Sequence, residues 1–415
     1  MTLHHGDLRT VLPTMEADRF TACVTDPPYH LTSGKKGGSG KASLNVNSPA
    51  GRSRVTTGFM GKAWDGGDVA LRPETWAEVL RVLKPGAHLL AFGGARTYHR
   101  MACAIEDAGF EIRDCVLWLY GSGFPKSLDV SKAIDKAAGA EREITGTRKA
   151  DVSMQGGNYA DRTTAPNREI SLRDTPATDA ARTWNGYGTA LKPAYEPIIV
   201  ARKPLAGTVA ENCQEHGCGG LNIDGCRIGT DLIAAHGGGV NGSGRKYGGG
   251  EGIPAIEAGA NPHVGRWPAN VIHDGSEEVL AGFPDCQGKV GMTGKTGNTN
   301  SVYGHFPQQE NRFAGTADSG SAARFFYCAK ASKSDRGPGN NHPTVKPLAL
   351  MQYLVKLVTM PGENRILDPF AGSGTTRLAC QAAGIDCDGI ELEVEHCEII
   401  RRRLKDAFPL LPQAA

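Results

Sequence analysis

Asp368-Pro369-Phe370-Ala371-Gly372-Ser373-Gly374-Thr375-Thr376 is the stretch that decides the fold. Ile366-Leu367 leads into it as a short buried strand, and Thr375–Ala383 leaves it with helical spacing. A turn between strand and helix is where an α/β sheet receives nucleotide-like ligands, because backbone N–H groups point outward and glycine permits a close approach. About 17 residues past Gly374, Glu391 closes the next predicted strand, Cys387–Leu392, where a carboxylate can take both hydroxyls of a ribose. A dinucleotide fingerprint needs a third glycine where this chain has Arg377. An acidic residue at the head of the loop favours a ligand with a cationic or hydroxyl-bearing end over a pyrophosphate.

Working outward, the same rhythm recurs on both sides. Pro347–Thr359 is amphipathic through Leu348, Met351, Val355 and Val358, and Val394–Ala407 predicts a helix that carries the basic run Arg401-Arg402-Arg403. Near the other end, Ala22–Thr25, Ala87–Phe92, Cys115–Tyr120 and Ile198–Ala201 read as buried strands, and Glu74–Leu83 and Arg96–Ala108 as helices. Alternating strands and helices imply a mostly parallel sheet covered on both faces. The first of these strands ends at Asp26-Pro27-Pro28-Tyr29. Two prolines fix φ and remove two N–H donors, so the carbonyls of Asp26 and Pro27 are held without a local partner. A carboxylate, a fixed carbonyl and an aromatic plane suit a planar molecule that carries an amino group: the amine donates and the ring stacks.

Composition narrows the class. Glycine, 55 of 415 residues, is nearly double the usual roughly 7%, which puts long Gly-rich loops into an otherwise folded chain. Net charge is only +2, so any nucleic-acid contact has to come from local patches. No stretch reaches the roughly 20 apolar residues of a membrane span, and Met1–Asp7 carries no secretory pattern. Eleven cysteines without a short framework read as reduced thiols in a cytoplasm. Leu31–Trp64 holds six Lys/Arg and no Asp/Glu directly after the Pro-Pro turn; it reads either as a solvated loop or as a phosphate-contacting one that uses Lys35, Lys36, Lys41, Arg52 and Arg54. Cys213, His216, Cys218 and Cys226 lack clean paired metal-ligand spacing, so no metal is expected. Trp118 and Tyr120 read most simply as core packing.

Together the two motifs resemble those of S-adenosylmethionine-dependent DNA amino-methyltransferases, the enzymes acting on adenine N6 or cytosine N4. The amine motif at 26–29 precedes the cofactor motif at 368–376, an order similar to the β class, with the target-recognition region between. Gly6-Asp7 and Asn341-His342-Pro343-Thr344-Val345-Lys346-Pro347 match further family segments. Gly123–Lys126, Lys192-Pro193-Ala194-Tyr195-Glu196-Pro197 and Arg266-Trp267-Pro268-Ala269-Asn270 look like segments of phage and prophage members.

The resemblance implies a doubly wound, mixed, mostly parallel α/β sheet: a circularly permuted class I methyltransferase fold with an inserted target-recognition region. The expected division is 1–204 and 336–415 for the two halves of the catalytic domain and 205–335 for target recognition, with an insertion at about 121–190. Asp26, Pro27, Pro28 and Tyr29 are the expected catalytic residues. Asp368, Phe370, Gly372, Ser373, Gly374 and Thr375 with Glu391 are expected to hold the cofactor, S-adenosyl-L-methionine, joined by Asp7, Thr344 and Lys346. Expected partners are double-stranded DNA and a second copy of the chain in a homodimer, with no membrane and the existence of a restriction endonuclease left open. The setting implied is a bacterial cytoplasm at the nucleoid, or a phage genome. No Pro-Cys pair occurs, which argues against cytosine-C5 chemistry. Adenine N6 is expected over cytosine N4, because Asp-Pro-Pro-Tyr usually accompanies adenine within this resemblance. A nucleotide-dependent oxidoreductase would leave 26–29 idle, and an inactive DNA-binding repressor would leave both motifs unexplained.

Overall fold

In the computed structural model of the chain, the residues described are 2–30, 68–123, 127–149, 169–172, 174–233, 263–287, 293–295, 300–301, 304–305, 310–312, 319–330, 332–342 and 344–408. The chain forms two compact units. The larger takes in Met1–Tyr29, Asp68–Gly121 and Glu196–Ala415, and the smaller His30–Gly67 and Ser122–Tyr195.

Nine strands build the sheet of the larger unit: β1 (Leu3–His5), β2 (Phe20–Thr25), β3 (Leu83–Phe92), β4 (Glu111–Leu119), β5 (Tyr195–Arg202), β6 (Val271–His273), β7 (Tyr327–Cys328), β8 (Arg365–Asp368) and β9 (Asp386–Glu391). Their order across the sheet is β1-β9-β8-β2-β3-β5-β4-β6-β7. The run from β1 through β3 is parallel throughout, β5 is antiparallel to β3, and β6 pairs in parallel with both β4 and β7. The mixed, mostly parallel sheet expected from the sequence is the one observed. Strands β6 and β7, which lie inside the 205–335 region, extend this sheet.

Alternation along the strands explains the two cores. In β3, Leu90 and Phe92 face one apolar cluster while Leu89 and Ala91 face the other; Ile366 and Leu367 of β8 divide the same way. Every residue of β2 is buried, as a central parallel strand requires. The helix Leu348–Leu357 covers the first face with Leu350, Met351, Leu354 and Val355. On the second face, Trp76, Val79 and Val82 of the helix Pro73–Val82 project at helical spacing, and the indole N–H of Trp76 donates to the Ala70 carbonyl at 2.9 Å.

Some boundaries differ from the expected ones. Strand β3 begins at Leu83 rather than Ala87, running through Pro85 and Gly86. Gly86 is required there: its φ is +78°, and a Cβ would meet the Asn212 side chain at 2.3 Å. Strand β4 starts at Glu111, four residues early, because its first half is polar and solvent-facing and shows no apolar run. In the smaller unit, Gly146–Lys149 and Glu169–Leu172 pair antiparallel, and Arg142 is buried against Asp135 at 2.6 Å beside the helix Val130–Ala137. The stretch 31–67 lies outside the described residues.

Candidate active site

The sheet order juxtaposes the two sequence motifs. Strand β8 lies beside β2 in parallel, with Ile366 opposite Ala22 and Leu367 opposite Cys23, so Asp368 and Asp26 emerge at neighbouring strand ends. A hydrogen bond seals the junction: the Thr25 hydroxyl donates to Asp368 Oδ1 at 2.7 Å across 343 residues of sequence. Strand β9 flanks β8 on its other side and delivers Glu391 to the same edge; β1 follows and delivers Asp7.

At the β2 end, Asp26 leads a compact polar cluster. Lys346 Nζ stands 2.6 Å from Asp26 Oδ2, 3.1 Å from the Tyr29 hydroxyl and 3.2 Å from Glu196 Oε2. The Tyr29 hydroxyl is in turn 3.0 Å from Asp26 Oδ1 and 3.0 Å from Glu196 Oε2. Lys346 is 7% exposed. Burial lowers its pKa, but the Asp26 and Glu196 carboxylates outweigh that effect and hold it above the ordinary lysine value. Burial first, then the same two carboxylates, push the Tyr29 phenol far up, so it stays protonated. Tyr29 is fixed from behind: Thr97 donates to its carbonyl at 2.7 Å, and its ring lies so close to Gly94 that a Cβ there would approach Cδ2 to 3.1 Å. Pro27 is buried and Pro28 half-buried.

At the β8 end, Asp368 is buried and accepts from Thr25 and from the Phe370 N–H. Burial drives its pKa up to about 6, against the opposing pull of the Thr376 and Thr25 hydroxyls and the Phe370 amide. The loop turns through two left-handed glycines, Gly372 at φ +53° and Gly374 at +80°. Glu391 Oε2 accepts from the Gly372 N–H at 2.7 Å, and Oε1 accepts from the Glu393 N–H at 2.9 Å with the His396 ring at 3.2 Å. The Ser373 and Thr375 hydroxyls face Arg403, whose Nη1 lies 3.1 and 3.2 Å from them. Phe370 is partly buried with its ring 6.3 Å from that of Trp76.

The remaining expected positions distribute unevenly. Lys346, expected with the cofactor residues, stands against Asp26 and Tyr29 instead. Asp7 caps a short helix and binds Arg9 at 2.5 Å, which holds its carboxyl below the usual range. Thr344 is exposed; its carbonyl accepts from His342 Nδ1 at 2.7 Å. That bond fixes the tautomer, and burial takes His342 down to about 4, so a neutral ring faces Gly372. Lys35, Lys36, Lys41, Arg52 and Arg54 lie outside the described residues. Cys218 and Cys226 are buried, Cys218 donating to the Pro85 carbonyl at 3.0 Å, and among the described residues no set of metal-competent side chains gathers around them. Trp118 belongs to the core, with Tyr120 tilted against it at 5.1 Å.

Glu196 is the residue that the sequence left without a role. Because β5 runs antiparallel to β3, with Ile198 opposite Phe92, the beginning of β5 reaches the edge where the parallel strands end. Strand direction was the missing information.

Residues 275–402 match the N6_N4_Mtase family model, described as DNA methylase. The chain is 41% identical over 70 residues to the type II methyltransferase M2.MboI of Moraxella bovis, a match covering 17% of this chain and 25% of that relative. It is 44% identical over 64 residues to the DNA adenine methyltransferase YhdJ of Escherichia coli, covering 15% of this chain and 21% of the relative. The chain thus spans about a quarter or less of the length of each of these relatives. Among solved structures, TTHA0409 of Thermus thermophilus, complexed with S-adenosyl-L-methionine, aligns over 99% of this chain and 96% of its own, with 14% identity and a TM-score of 0.39. Residues 275–402, which include the Asp368–Thr376 loop and Glu391, are thus similar to the DNA methylases that the N6_N4_Mtase model describes.

Proposed function

We propose that this protein transfers a methyl group from S-adenosyl-L-methionine to the N6 amine of adenine in duplex DNA, the base being flipped out of the helix. The carrying observation is the junction of the two motifs: an amine-accepting Asp26–Tyr29 cluster and a nucleoside-type loop meet at adjacent parallel strand ends, joined by the 2.7 Å bond from Thr25 to Asp368.

The cofactor loop fits such a ligand by its donor set. Asp368 and Glu391 are acceptors suited to hydroxyls and to a cationic end, Gly372 and Gly374 keep the backbone approachable, and Phe370 supplies an aromatic face. When bound, the cofactor supplies an electrophilic methyl on a sulfonium. The chain's own part is to bind the amine. An exocyclic amine is a poor nucleophile because its lone pair is delocalised into the ring. Hydrogen bonds from both N–H groups, to Asp26 and to the Pro27 carbonyl, favour a pyramidal nitrogen and restore the lone pair. Tyr29 replaces the stacking that the base loses on leaving the duplex.

Adenine is favoured by Asp26 at the head of the motif, and the name of the relative YhdJ agrees. The enzyme acts as a homodimer on double-stranded DNA, with Lys35, Lys36, Lys41, Arg52 and Arg54 gripping phosphates near the extruded base. Mass spectrometry of nucleosides from DNA of cells that express the chain is expected to show N6-methyladenine. N4-methylcytosine alone would move the target to cytosine, and no modified base would remove the reading.

A further inference from the structure

Glu196 is bonded into the amine cluster, yet methyl transfer by positioning alone gives it no task. A hydrogen count supplies one. The ammonium of Lys346 has three hydrogens and three acceptors in reach: Asp26 Oδ2 at 2.6 Å, the Tyr29 oxygen at 3.1 Å and Glu196 Oε2 at 3.2 Å. The Tyr29 hydroxyl has one hydrogen but two carboxylate oxygens, each at 3.0 Å. With both carboxylates ionised, one of these two short contacts holds no proton. The cluster is built with room for one more.

Methylation of the amine releases one proton. The nitrogen lone pair forms the new N–C bond, the bonding pair of the old C–S bond stays with sulfur, and the nitrogen must then shed an N–H proton. Asp26 is the nearest acceptor; Oδ2 receives a bond from Lys346, and Oδ1 faces the Tyr29 oxygen with no hydrogen between them when the Tyr29 hydrogen points to Glu196 Oε2. We infer that Glu196 is the final acceptor of this proton, which it receives from Asp26 through the Tyr29 hydroxyl. The proton lands on Asp26 Oδ1 and passes to the Tyr29 oxygen as Tyr29 gives its own hydrogen to Glu196 Oε2. Asp26 is left a carboxylate, Tyr29 neutral and Glu196 a carboxylic acid. Glu196 is 20% exposed, so water can then take the proton away. The charged and titratable groups facing Glu196 are Tyr29, Lys346 and Asp26, with Tyr120 close enough to feel its charge. This inference rests on the methyl-transfer reading.

The test uses the full chain, tritiated S-adenosylmethionine and unmethylated genomic DNA under single-turnover conditions. Glu196→Gln keeps the shape and the bonds but cannot hold the proton. It is expected to slow transfer about 10–100-fold while cofactor binding by calorimetry stays within about twofold of wild type. Glu196→Asp, which can hold the proton, is expected to restore part of the rate. Tyr29→Phe breaks the path with Glu196 still in place and is expected to slow transfer as well. A second readout needs neither cofactor nor DNA: in an alkaline absorbance titration, one phenol of Glu196→Gln is expected to ionise at lower pH than in wild type, because a neighbouring carboxylate is gone. A wild-type rate in Glu196→Gln or Tyr29→Phe, no gain of rate in Glu196→Asp over Glu196→Gln, or an unmoved phenol titration would each overturn the inference. A wild-type chain that leaves DNA unmethylated would instead overturn the methyl-transfer reading.

Discussion

At the scale of single residues, the amine and cofactor ends of the proposed reaction are joined in space but are assigned separate chemical tasks. Asp26 accepts from Lys346 and Tyr29, whereas Glu391 is tied to the Gly372 amide and to His396. Asp26→Ala is therefore expected to abolish methyl transfer while cofactor affinity changes by less than about tenfold, or 1.4 kcal/mol. Glu391→Ala is expected to weaken cofactor binding first, because a charged hydrogen bond contributes about 1.5–3 kcal/mol. Calorimetry beside a tritium-transfer assay separates the two, and equal loss of binding in both would show that the ends are not independent. Asp368 makes a different prediction. Its folded-state pKa, about 6, lies above the 3.8 of an unfolded carboxylate, so the folded state holds the proton more tightly. Ionising it is a cost to the fold that is absent below about pH 4, grows between about pH 4 and 6, and is then constant at about 3 kcal/mol. Asp368→Asn is expected to raise the melting temperature at pH 8, to leave it nearly unchanged at pH 4, and to weaken cofactor binding. An unchanged melting temperature at pH 8 would show that no buried charge is being carried there.

At the scale of elements, the glycine loop depends on the helix that closes the chain. Arg403 of Val394–Ala407 donates from Nη1 to the Ser373 carbonyl at 2.5 Å and from Nη2 to the Asp335 carbonyl at 2.6 Å. Burial takes its pKa down to about 10, still charged at neutral pH. A Cβ on Gly374 would meet Ile400 of the same helix at 2.9 Å. Arg403→Ala leaves these carbonyls without a partner and is expected to cost about 2–4 kcal/mol of stability and to raise the cofactor dissociation constant. Chemical denaturation and calorimetry read the two effects, and an unaltered dissociation constant would mean that the loop stands without the helix. From sequence, Arg401-Arg402-Arg403 was only a basic run. What it lacked was the helical phase that turns Arg403 inward, buried, while Arg401 and Arg402 remain exposed. The strand-loop-helix frame was legible because Ile366–Asp368 and Thr375–Ala382 obey local rules of apolar run and glycine turn. Glu196 was placed by a pairing between distant strands, and Lys346 by a contact with Asp26 across 320 residues of sequence; no local rule encodes either.

At the scale of the whole molecule, the proposed grip on DNA has two readouts. Neutralising Lys35, Lys36, Lys41, Arg52 and Arg54 together is expected to weaken DNA binding and to flatten its dependence on salt by up to about 4.5 in log–log slope, since each phosphate contact contributes about 0.9. Light scattering of the active protein is expected to give twice the mass of one chain; one chain's mass at full activity would remove the dimer. The wide sheet itself was legible only in part. Its central strands are apolar runs, but β6 and β7 are three and two residues long, too short to carry a periodic signal.

The bond from Thr25 to Asp368 spans 343 residues, and β8 lies between β2 and β9 in the finished sheet. During synthesis, then, β2 has no neighbour on that side until the chain up to Asp368 has been made. At roughly 5–20 residues per second, the wait is about 20–70 s. For that time a strand that the finished fold buries completely offers an open hydrogen-bonding edge to any other nascent chain. The arrangement that unites the two motifs therefore makes the emerging polypeptide a client for chaperones, and slower translation would lengthen the exposure.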